Sequence, residues 1–429
     1  MKKKFIFLKS LLRRIFFIFS PFFFLVIVMI SKFFHIRFCM VPSERIGELV
    51  TRLEIYLCEK KLNINRKKTI DIFFFNDVLS NLTYCNLVKP KINLVSNLIA
   101  FPIYKFIILI SKKIHYFNKF IFTVKYEDDH FSMMQTDTNI KFNRDQLIKG
   151  EEFLKSIGIN DKDKIVCLLV RDSTYLKKKF PGINQDRNNY RNCNFENFIP
   201  AINKLTELGY YVFRMGEVVE KEYKLNNPKF IDYTTNFRTD FLDIYLAYRC
   251  TFAISTSSGW DNVPAFVFRK PVVLTNNVPA GFMLSYSDDL IYSMKIHKDK
   301  KTNKFLSLNE INDLGLSHAY NTKEFDDAKI ELLDNSASEI VNMVNEMLEL
   351  IEDKERFKKK NFSNINLFWK KYNNVCKITN DPKYEERFKH QIKFDPHFKL
   401  RCPSNRLFKG KNVSFFSPSF LEKNMFLIK

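Results

Sequence analysis

Short apolar runs alternate with amphipathic segments between Ile165 and Asn276, and this alternation predicts an α/β fold. The apolar runs have the length and composition of buried strands: IVCLLV at 165–170, YYVFRM at 210–215, FAIST at 252–256 and VVLT at 272–275. Helical periodicity separates them, most clearly at 195–208 and 240–249. Strands joined by helices of this length indicate a parallel sheet.

Polar residues follow these strands directly. They are Arg171 and Asp172, Arg214 and Gly216, then Ser257, Ser258, Gly259 and Asn276. Ligands of parallel sheets bind beyond the carboxyl ends of the strands, so we expect these residues to share one rim. Arginine forks and backbone N–H groups in hydroxyl-rich turns suit phosphate oxygens. All of them except Asp172, a candidate base, are therefore predicted phosphate-binding residues.

Each of these residues also has a structural alternative. Arg171 can pair with Asp172 at a strand end, and the serines can cap the helix that follows them. Their place in the strand–helix alternation favours binding for Arg171 and for the turn at 257–259. For Arg214, ligand binding and capping of the turn at Gly216 stay equally open.

A second strand–loop–helix pattern lies earlier, with strands predicted at 36–41 and 70–76 and a helix at 51–61. It indicates an N-terminal Rossmann-like lobe whose first loop holds Glu44, Arg45, Gly47 and Glu48. In a two-lobed enzyme this loop faces the ligand, so Arg45 and Gly47 are candidate binding residues. Either glutamate is a candidate general base or, alternatively, a solvated acid at a helix start.

The N-terminal segment predicts contact with a membrane. An apolar run at 15–30 contains Pro21 and has Lys and Arg residues on both sides. It can form one span, a monotopic insertion or a buried helix, and the flanking cations favour a segment that returns to its own side. A second apolar and basic segment at 92–120 reads either as a buried helix or as an interfacial one.

Four parts follow from these patterns. A membrane anchor covers 1–35, an N-terminal Rossmann-like acceptor lobe 36–160 and a C-terminal Rossmann-like donor lobe 161–354. The remaining segment, 355–429, is basic, Asn-rich and aromatic, and it is predicted to be an extension rather than part of a core.

Composition narrows the partners. The net charge of +22 suits nucleic acid, an anionic membrane or phosphorylated substrates, or it reflects a general enrichment in lysine. No helix-turn-helix, RNP or zinc-finger pattern supports nucleic acid, so none is expected as a partner. The eight cysteines form no CxxC pair, and the histidines lack metal-ligand spacing. Asp161-Lys162-Asp163 precedes a strand and so lies opposite the predicted rim. We therefore expect neither a metal nor another cofactor.

Several ordered blocks between residues 40 and 350 resemble a family of bacterial glycosyltransferases linked to cell-surface polysaccharide synthesis. They are RIGEL at 45–49, VCLLVRDSTY from 166, Arg191-Asn192, the stretch 195–216, 231–233, the stretch 240–276 and 334–348. The resemblance implies a fold of two Rossmann-like lobes of GT-B type, with a nucleotide sugar on the second lobe.

A more distant resemblance links the chain to fucosyltransferase-type enzymes. There an arginine that closes the first strand of the second lobe grips the donor diphosphate, and a serine-rich turn assists. The matching residues here are Arg171 and Ser257-Ser258. In the bacterial family the first loop often reads R-I-G-H, whereas this chain has Glu48 in the place of the histidine. That departure leaves the general base unassigned.

Together these observations lead us to expect a membrane-associated, metal-independent glycosyltransferase at the cytoplasmic face of the bacterial inner membrane. Its partners would be a nucleotide-sugar donor and a glycan or lipid-linked acceptor in surface polysaccharide synthesis. Asp172, Glu44 and Glu48 are the candidate bases. The alternatives are a nucleotide-sugar epimerase and a non-catalytic scaffold of the polysaccharide machinery.

Overall fold

The computed structural model describes residues 2–64, 69–125, 128, 130–179, 181–182, 184, 186–283, 287–376, 380–383, 386 and 413–429. The chain forms two compact units, Met1–Asn143 and Arg144–Lys429. Each unit contains a parallel β-sheet. The predicted α/β class is thereby confirmed, as is an apolar helix at the N-terminus.

Unit 1 begins with this helix and continues with alternating strands and helices. Its elements are α1 (Lys2–Ile30), β1 (His35–Val41), α2 (Ile46–Lys61), β2 (Thr69–Phe75), α3 (Leu82–Val88), β3 (Asn93–Leu94) and α4 (Asn97–Ser111). The three strands pair in the order β1-β2-β3, all parallel. Helix α2 buries Leu49, Val50, Leu53 and Leu57, whose spacing of three to four residues makes one apolar face.

Helix α1 is continuous through Pro21 and packs against α4. Its Phe24 joins a buried cluster with Phe38 of β1, Ile103 and Ile107 of α4, and Phe120. By length and composition, Phe7–Ile30 could cross a membrane, and the 17% of its apolar window that is buried lies on the side that packs in this cluster. One side of α1 therefore belongs to the core of unit 1.

Unit 2 is larger and contains the predicted strands. Its elements are α5 (Arg144–Ser156), β4 (Ile165–Leu169), α6 (Thr174–Lys179), α7 (Ile199–Glu207), β5 (Tyr211–Arg214), β6 (Phe230–Ile231), α8 (Tyr233–Asn236), α9 (Asp240–Arg249), β7 (Phe252–Ser255), β8 (Val272–Asn277), β9 (Leu290–Met294), β10 (Ile296–Asp299), α10 (Leu308–Asp313), α11 (Thr322–Asp327), β11 (Ile330–Leu333), α12 (Ala337–Glu352), α13 (Lys354–Val375), β12 (Phe415–Phe416) and α14 (Pro418–Lys423).

The main sheet of unit 2 has the strand order β12-β9-β8-β7-β4-β5-β6, and every pair in it is parallel. From β4 the chain moves outward through β5 to β6, then returns to place β7 on the other side of β4. The direction of winding therefore reverses between β4 and β7. In open α/β sheets such a reversal opens a crevice at the carboxyl ends of the two strands.

Two boundaries differ from those predicted. Unit 2 begins at Arg144 rather than at residue 161, because α5 packs on this unit: a side chain at Gly150 would meet the ring of Tyr245. The segment 355–429 is not simply an extension either. Helix α13 buries aromatic residues, and β12 adds an edge strand beside β9. The aromatic composition that suggested a tail belongs, at 354–375 and 413–429, to a core.

Candidate functional site

The carboxyl rim of unit 2, the edge where β4, β5, β7 and β8 end, brings Arg171 together with the serine turn, residues 255–261. The backbone N–H of Arg171 donates to Thr256 Oγ1 at 2.9 Å. The N–H of Thr256 donates to the carbonyl of Leu169 at 3.2 Å. These bonds join the ends of β4 and β7 at the reversal point, so the two strongest predicted binding elements are direct neighbours.

A buried acid fixes the shape of the serine turn, residues 255–261. Oδ2 of Asp261 accepts a hydrogen bond from Ser255 Oγ at 2.9 Å and from the N–H of Ser258 at 2.8 Å. Ser257, between them, has φ +53°, and its hydroxyl bonds to Asn277 Oδ1. A non-glycine residue with left-handed backbone is uncommon and persists only where its surroundings hold it. Hydrogen bonds to Asp261 and Asn277 thus fix the conformation of the turn.

Burial raises the pKa of Asp261 to about 7. The hydrogen bonds from Ser255 and Ser258 and the charge of Arg191 act in the opposite direction, but desolvation is the largest cause. The acid that supports the turn is consequently close to the midpoint of its titration near neutral pH.

Arg191 adds a second guanidinium to the rim, at a position that was not predicted to be a site residue. Its Nη2 donates to the carbonyl oxygen of Ser257. The segment that carries it is tied to β4, because the N–H of Cys193 donates to the carbonyl of Arg171 at 3.0 Å. The only sequence signal was the Arg191-Asn192 pair within the resemblance. Long-range placement of a loop at 186–193 has no periodic signature.

Tyr190 lies within the electrostatic reach of both Arg191 and Arg171. Burial raises the pKa of this phenol, and the positive charges of Arg191 and Arg171 both oppose that increase. Arg171, through its backbone N–H, and Arg191, through its guanidinium, both contact the serine turn at the sheet's reversal point. Fork-shaped guanidinium groups can each give a phosphate two parallel hydrogen bonds.

Asp172 lies beside this site but has structural partners. Its Oδ1 accepts from the N–H of Thr174 at 2.8 Å, and its Oδ2 accepts from the N–H of Glu220 at 3.0 Å. It therefore links the loop after β4 to the loop after β5. With both oxygens bonded to backbone, Asp172 suits this linking role better than the predicted role of general base.

Arg214 points into the interior instead of the rim. Its Nη1 donates to Asp232 Oδ2 at 2.8 Å and to the carbonyl of Lys221 at 2.7 Å. The guanidinium lies over the rings of Phe195 and Tyr223, and both members of the ion pair are about 4% exposed. The structural alternative thus fits Arg214. Gly216 follows in a turn where an added Cβ would lie 3.3 Å from Thr234 Oγ1. The glycine therefore allows its backbone to pack closely against Thr234 of the same unit.

Asn276 is also buried. Its N–H donates to Asn335 Oδ1 at 2.8 Å, and its own Oδ1 accepts from the N–H of Asn335 at 2.6 Å. This reciprocal pair fastens the end of β8 to the loop before α12. Like Ser257, Asn276 has a left-handed backbone, with φ +57°. Asn276, whose side chain was predicted to contact ligand, therefore has a structural role.

The candidates of unit 1 lie in the loop after β1 and the start of α2, as the pattern predicted. Glu44 accepts from the amide of Asn76, which follows β2. Glu48 pairs with Arg52 Nε at 2.7 Å, one turn later on α2. Arg45 is exposed at the N-cap of α2, and Gly47 is buried in its first turn.

Within the part of the chain that the structure describes, no group of three or more His, Cys, Asp or Glu residues could hold a metal ion. Asp288 and Asp289 instead pair with Lys354 at 2.6 and 2.7 Å. Asp161 and Asp163 precede β4, and their carbonyl oxygens accept from Arg249. The carboxylates of Asp288 and Asp289 are thus engaged by lysine, whereas Asp161 and Asp163 lie at the amino end of β4, away from the carboxyl rim.

No protein-family model matches the chain, and no curated protein matches it. Among solved structures it is similar to the crystal structure of the glycosyl transferase family 9 from Veillonella parvula, with a TM-score of 0.42 and 13% identity. That similarity covers 73% of this chain and 98% of the other. Similarity at this level does not place the chain in that family.

Proposed function

We propose that this protein is a membrane-associated glycosyltransferase that uses a nucleotide diphosphate sugar. The observation that carries the proposal is the joining of Arg171 and the serine turn at the β4–β7 reversal point, with Arg191 on the same turn. The acceptor we propose is a glycan or lipid-linked sugar of bacterial surface polysaccharide. Nucleotide sugars are cytosolic, so the proposed location is the cytoplasmic face of the inner membrane.

In such a transfer the bond between the anomeric carbon and the diphosphate oxygen breaks, and a bond to the acceptor hydroxyl oxygen forms. Negative charge grows on the departing diphosphate. Preorganised guanidinium groups placed where charge develops stabilise the transition state more than the ground state. Arg171 and Arg191 would fill that role without a metal ion.

The sharpest test is Arg171→Ala, measured as binding of a panel of nucleoside diphosphates and their sugars. A charge-assisted hydrogen bond contributes roughly 1.5–3 kcal/mol, so affinity should fall about tenfold or more. Arg171→Lys should restore little, because an ammonium cannot reproduce the fork. Arg249→Ala is the matched control. Arg249 precedes β7 and bonds the turn before β4, so it lies at the amino ends of the strands, away from the carboxyl rim.

Two results would count against the proposal. If Arg171→Ala folds normally and binds every nucleotide as the parent does, the donor site is elsewhere. If Arg171→Ala loses its cooperative unfolding transition while Arg249→Ala keeps it, Arg171 is structural.

The acceptor hydroxyl must lose its proton to a base, and we propose Glu44. Glu48 is engaged in an ion pair with Arg52, whereas Glu44 has a neutral amide partner. Glu44→Gln should lower turnover by about 10²-fold or more, the usual range for a general base, and leave nucleotide affinity unchanged. Glu48→Gln is the matched control. Equal turnover in Glu44→Gln and the parent would remove Glu44 from this role.

A further inference from the structure

Helix α1 has two different faces. One side is turned toward the rest of unit 1. It carries, at helical spacing, Lys9, Arg13, Phe17, Ser20, Phe24 and Ile27. The opposite stripe is apolar and exposed: Phe7, Leu11, Ile15, Ile18, Phe22, Leu25 and Met29. Phe33 and Phe34, just beyond the helix, are exposed as well. We call this stripe and these two residues the apolar face.

The inner side is fastened near both ends. Arg13 gives Asp77, which follows β2, two hydrogen bonds of 2.8 and 2.5 Å, and Lys9 lies 2.8 Å from the same carboxylate. Farther along, the ring of Phe24 meets Phe117 and Phe120 edge-on at centroid distances of 5.1 and 5.3 Å. The helix therefore lies along the side of unit 1 over much of its length.

This placement conflicts with a simple span. The 24 residues of Phe7–Ile30 would measure about 36 Å at ~1.5 Å per residue, enough to cross a hydrocarbon layer of ~30 Å. Arg13 and Phe24, however, are roughly 16 Å apart on the helix and both contact unit 1. A span would carry Asp77 and the loop around it into hydrocarbon, where charges and irregular backbone are costly.

We propose that α1 lies in the plane of the membrane and that its apolar face docks unit 1 on an anionic lipid bilayer. A helix with apolar residues such as Phe and Leu along one face can lie in the interface plane, and nearby Lys and Arg residues are attracted to anionic lipid. The cations here are Lys2, Lys3 and Lys4 at the start and Lys32 just after the end, with Arg14 exposed partway along the helix. Positive charge at both ends suits anionic headgroups and opposes pairing with a second copy of the same face.

The inference rests on the membrane association proposed above, but not on the reaction. Its first test is flotation of the full chain with vesicles of phosphatidylcholine, with and without 30–50% phosphatidylglycerol. Binding should be stronger with phosphatidylglycerol and should weaken as salt is added. Phe22→Asn combined with Ile18→Asn should reduce the bound fraction about tenfold or more. Phe362→Asn, 66% exposed on α13 against 64% for Phe22, is the matched control and should bind as the parent does.

A second measurement separates an in-plane helix from a span. Ser10→Cys and Lys32→Cys place thiols near the two ends, and a membrane-impermeant maleimide is added outside vesicles to which the protein has bound. An in-plane helix leaves the two ends equally reactive, after labelling of the parent is subtracted. A span protects one end until detergent opens the vesicles, and that result would overturn the in-plane arrangement alone.

Two other results would reject lipid as the occupant. Absence of vesicle binding by the parent would remove this inference and the proposed membrane association, while the nucleotide test of Arg171 would be unaffected. A concentration-dependent dimer that Phe22→Asn disrupts, without vesicle binding, would assign the apolar face to a second copy of this chain.

Discussion

At the scale of single residues, the side-chain partner decides what a strand-end residue does. Arg171 and Arg214 both end strands of one sheet, and the sequence places both correctly. It could not show that Arg214 turns inward, because its partner Asp232 lies 18 positions farther along and between them the chain forms an irregular loop. Removing one member of such a buried pair lowers the free energy of unfolding by about 3–5 kcal/mol, so Arg214 contributes to stability.

Neither Asp261 nor Arg191 was predicted to be part of the site, for a related reason. An acid three residues after a serine reads as an ordinary capping residue, and nothing local reveals that it is buried. Its position beneath the turn depends on the packing of β7 against β4 and β8. The sequence therefore predicted the location of the turn but not the residue that gives the turn its shape.

Asp261→Asn should remove a pH dependence. Because the folded pKa of about 7 is above the ordinary value of 3.8, the stability associated with this acid is complete below pH 3.8. It is lost as pH rises through about 7. Asparagine resembles the protonated acid, and its single Oδ1 can accept both hydrogen bonds that Asp261 Oδ2 accepts. The melting temperature of the variant relative to the parent should rise between pH 4 and pH 7 and then level off.

This comparison also isolates Asp261 from His297, whose pKa burial lowers to about 4. The stability linked to His297 is present above pH 6.5 and is lost as pH falls through about 4, the opposite sign. Since both proteins contain His297, its contribution cancels in the difference. A difference in melting temperature that stays constant from pH 4 to pH 8 would contradict the assignment of a raised pKa to Asp261.

At the scale of elements, periodicity predicted the strands β4, β5, β7 and β8 and the long helices, because each has enough residues to show a period. Helix α9 is a clear case, because the helical periodicity at 240–249 corresponds to the helix Asp240–Arg249. The two-residue strand β12 has no period at all. Its pairing with β9 arises from a distant part of the chain, so composition alone suggested a tail.

Phe416→Ala tests whether the C-terminal segment is core. The ring of Phe416 is fully buried and stacks on Phe368 of α13 with centroids 3.5 Å apart. Its loss should lower the free energy of unfolding by about 3–5 kcal/mol, as for other buried Phe→Ala changes. Phe362→Ala on the exposed side of α13 should change it by less than about 0.5 kcal/mol. Urea denaturation measures both, and equal effects would restore the interpretation of 413–429 as an appendage.

At the scale of the whole molecule, the charge distribution favours the proposal that arginine rather than a metal ion would meet a diphosphate. The net charge is +22, and among the described residues no group of three or more His, Cys, Asp or Glu residues could hold a metal ion, while Asp288 and Asp289 pair with Lys354. Many diphosphates are held in proteins through a divalent cation. A positively charged rim can bind them directly.

Nucleotide diphosphate binding should therefore persist in excess EDTA. The dissociation constant should stay within about twofold of its value in Mg²⁺, whereas loss of ~1.4 kcal/mol of binding free energy would change it tenfold. Because binding through arginines is electrostatic, added salt should weaken it. Titration calorimetry in EDTA and then in Mg²⁺ or Mn²⁺ measures both effects, and Arg171→Ala serves as the reference for a lost site. Binding that disappears in EDTA and returns with Mg²⁺ would show that a metal completes the site, with ligands beyond the described residues or rearranged from the pairs at Asp288 and Asp289.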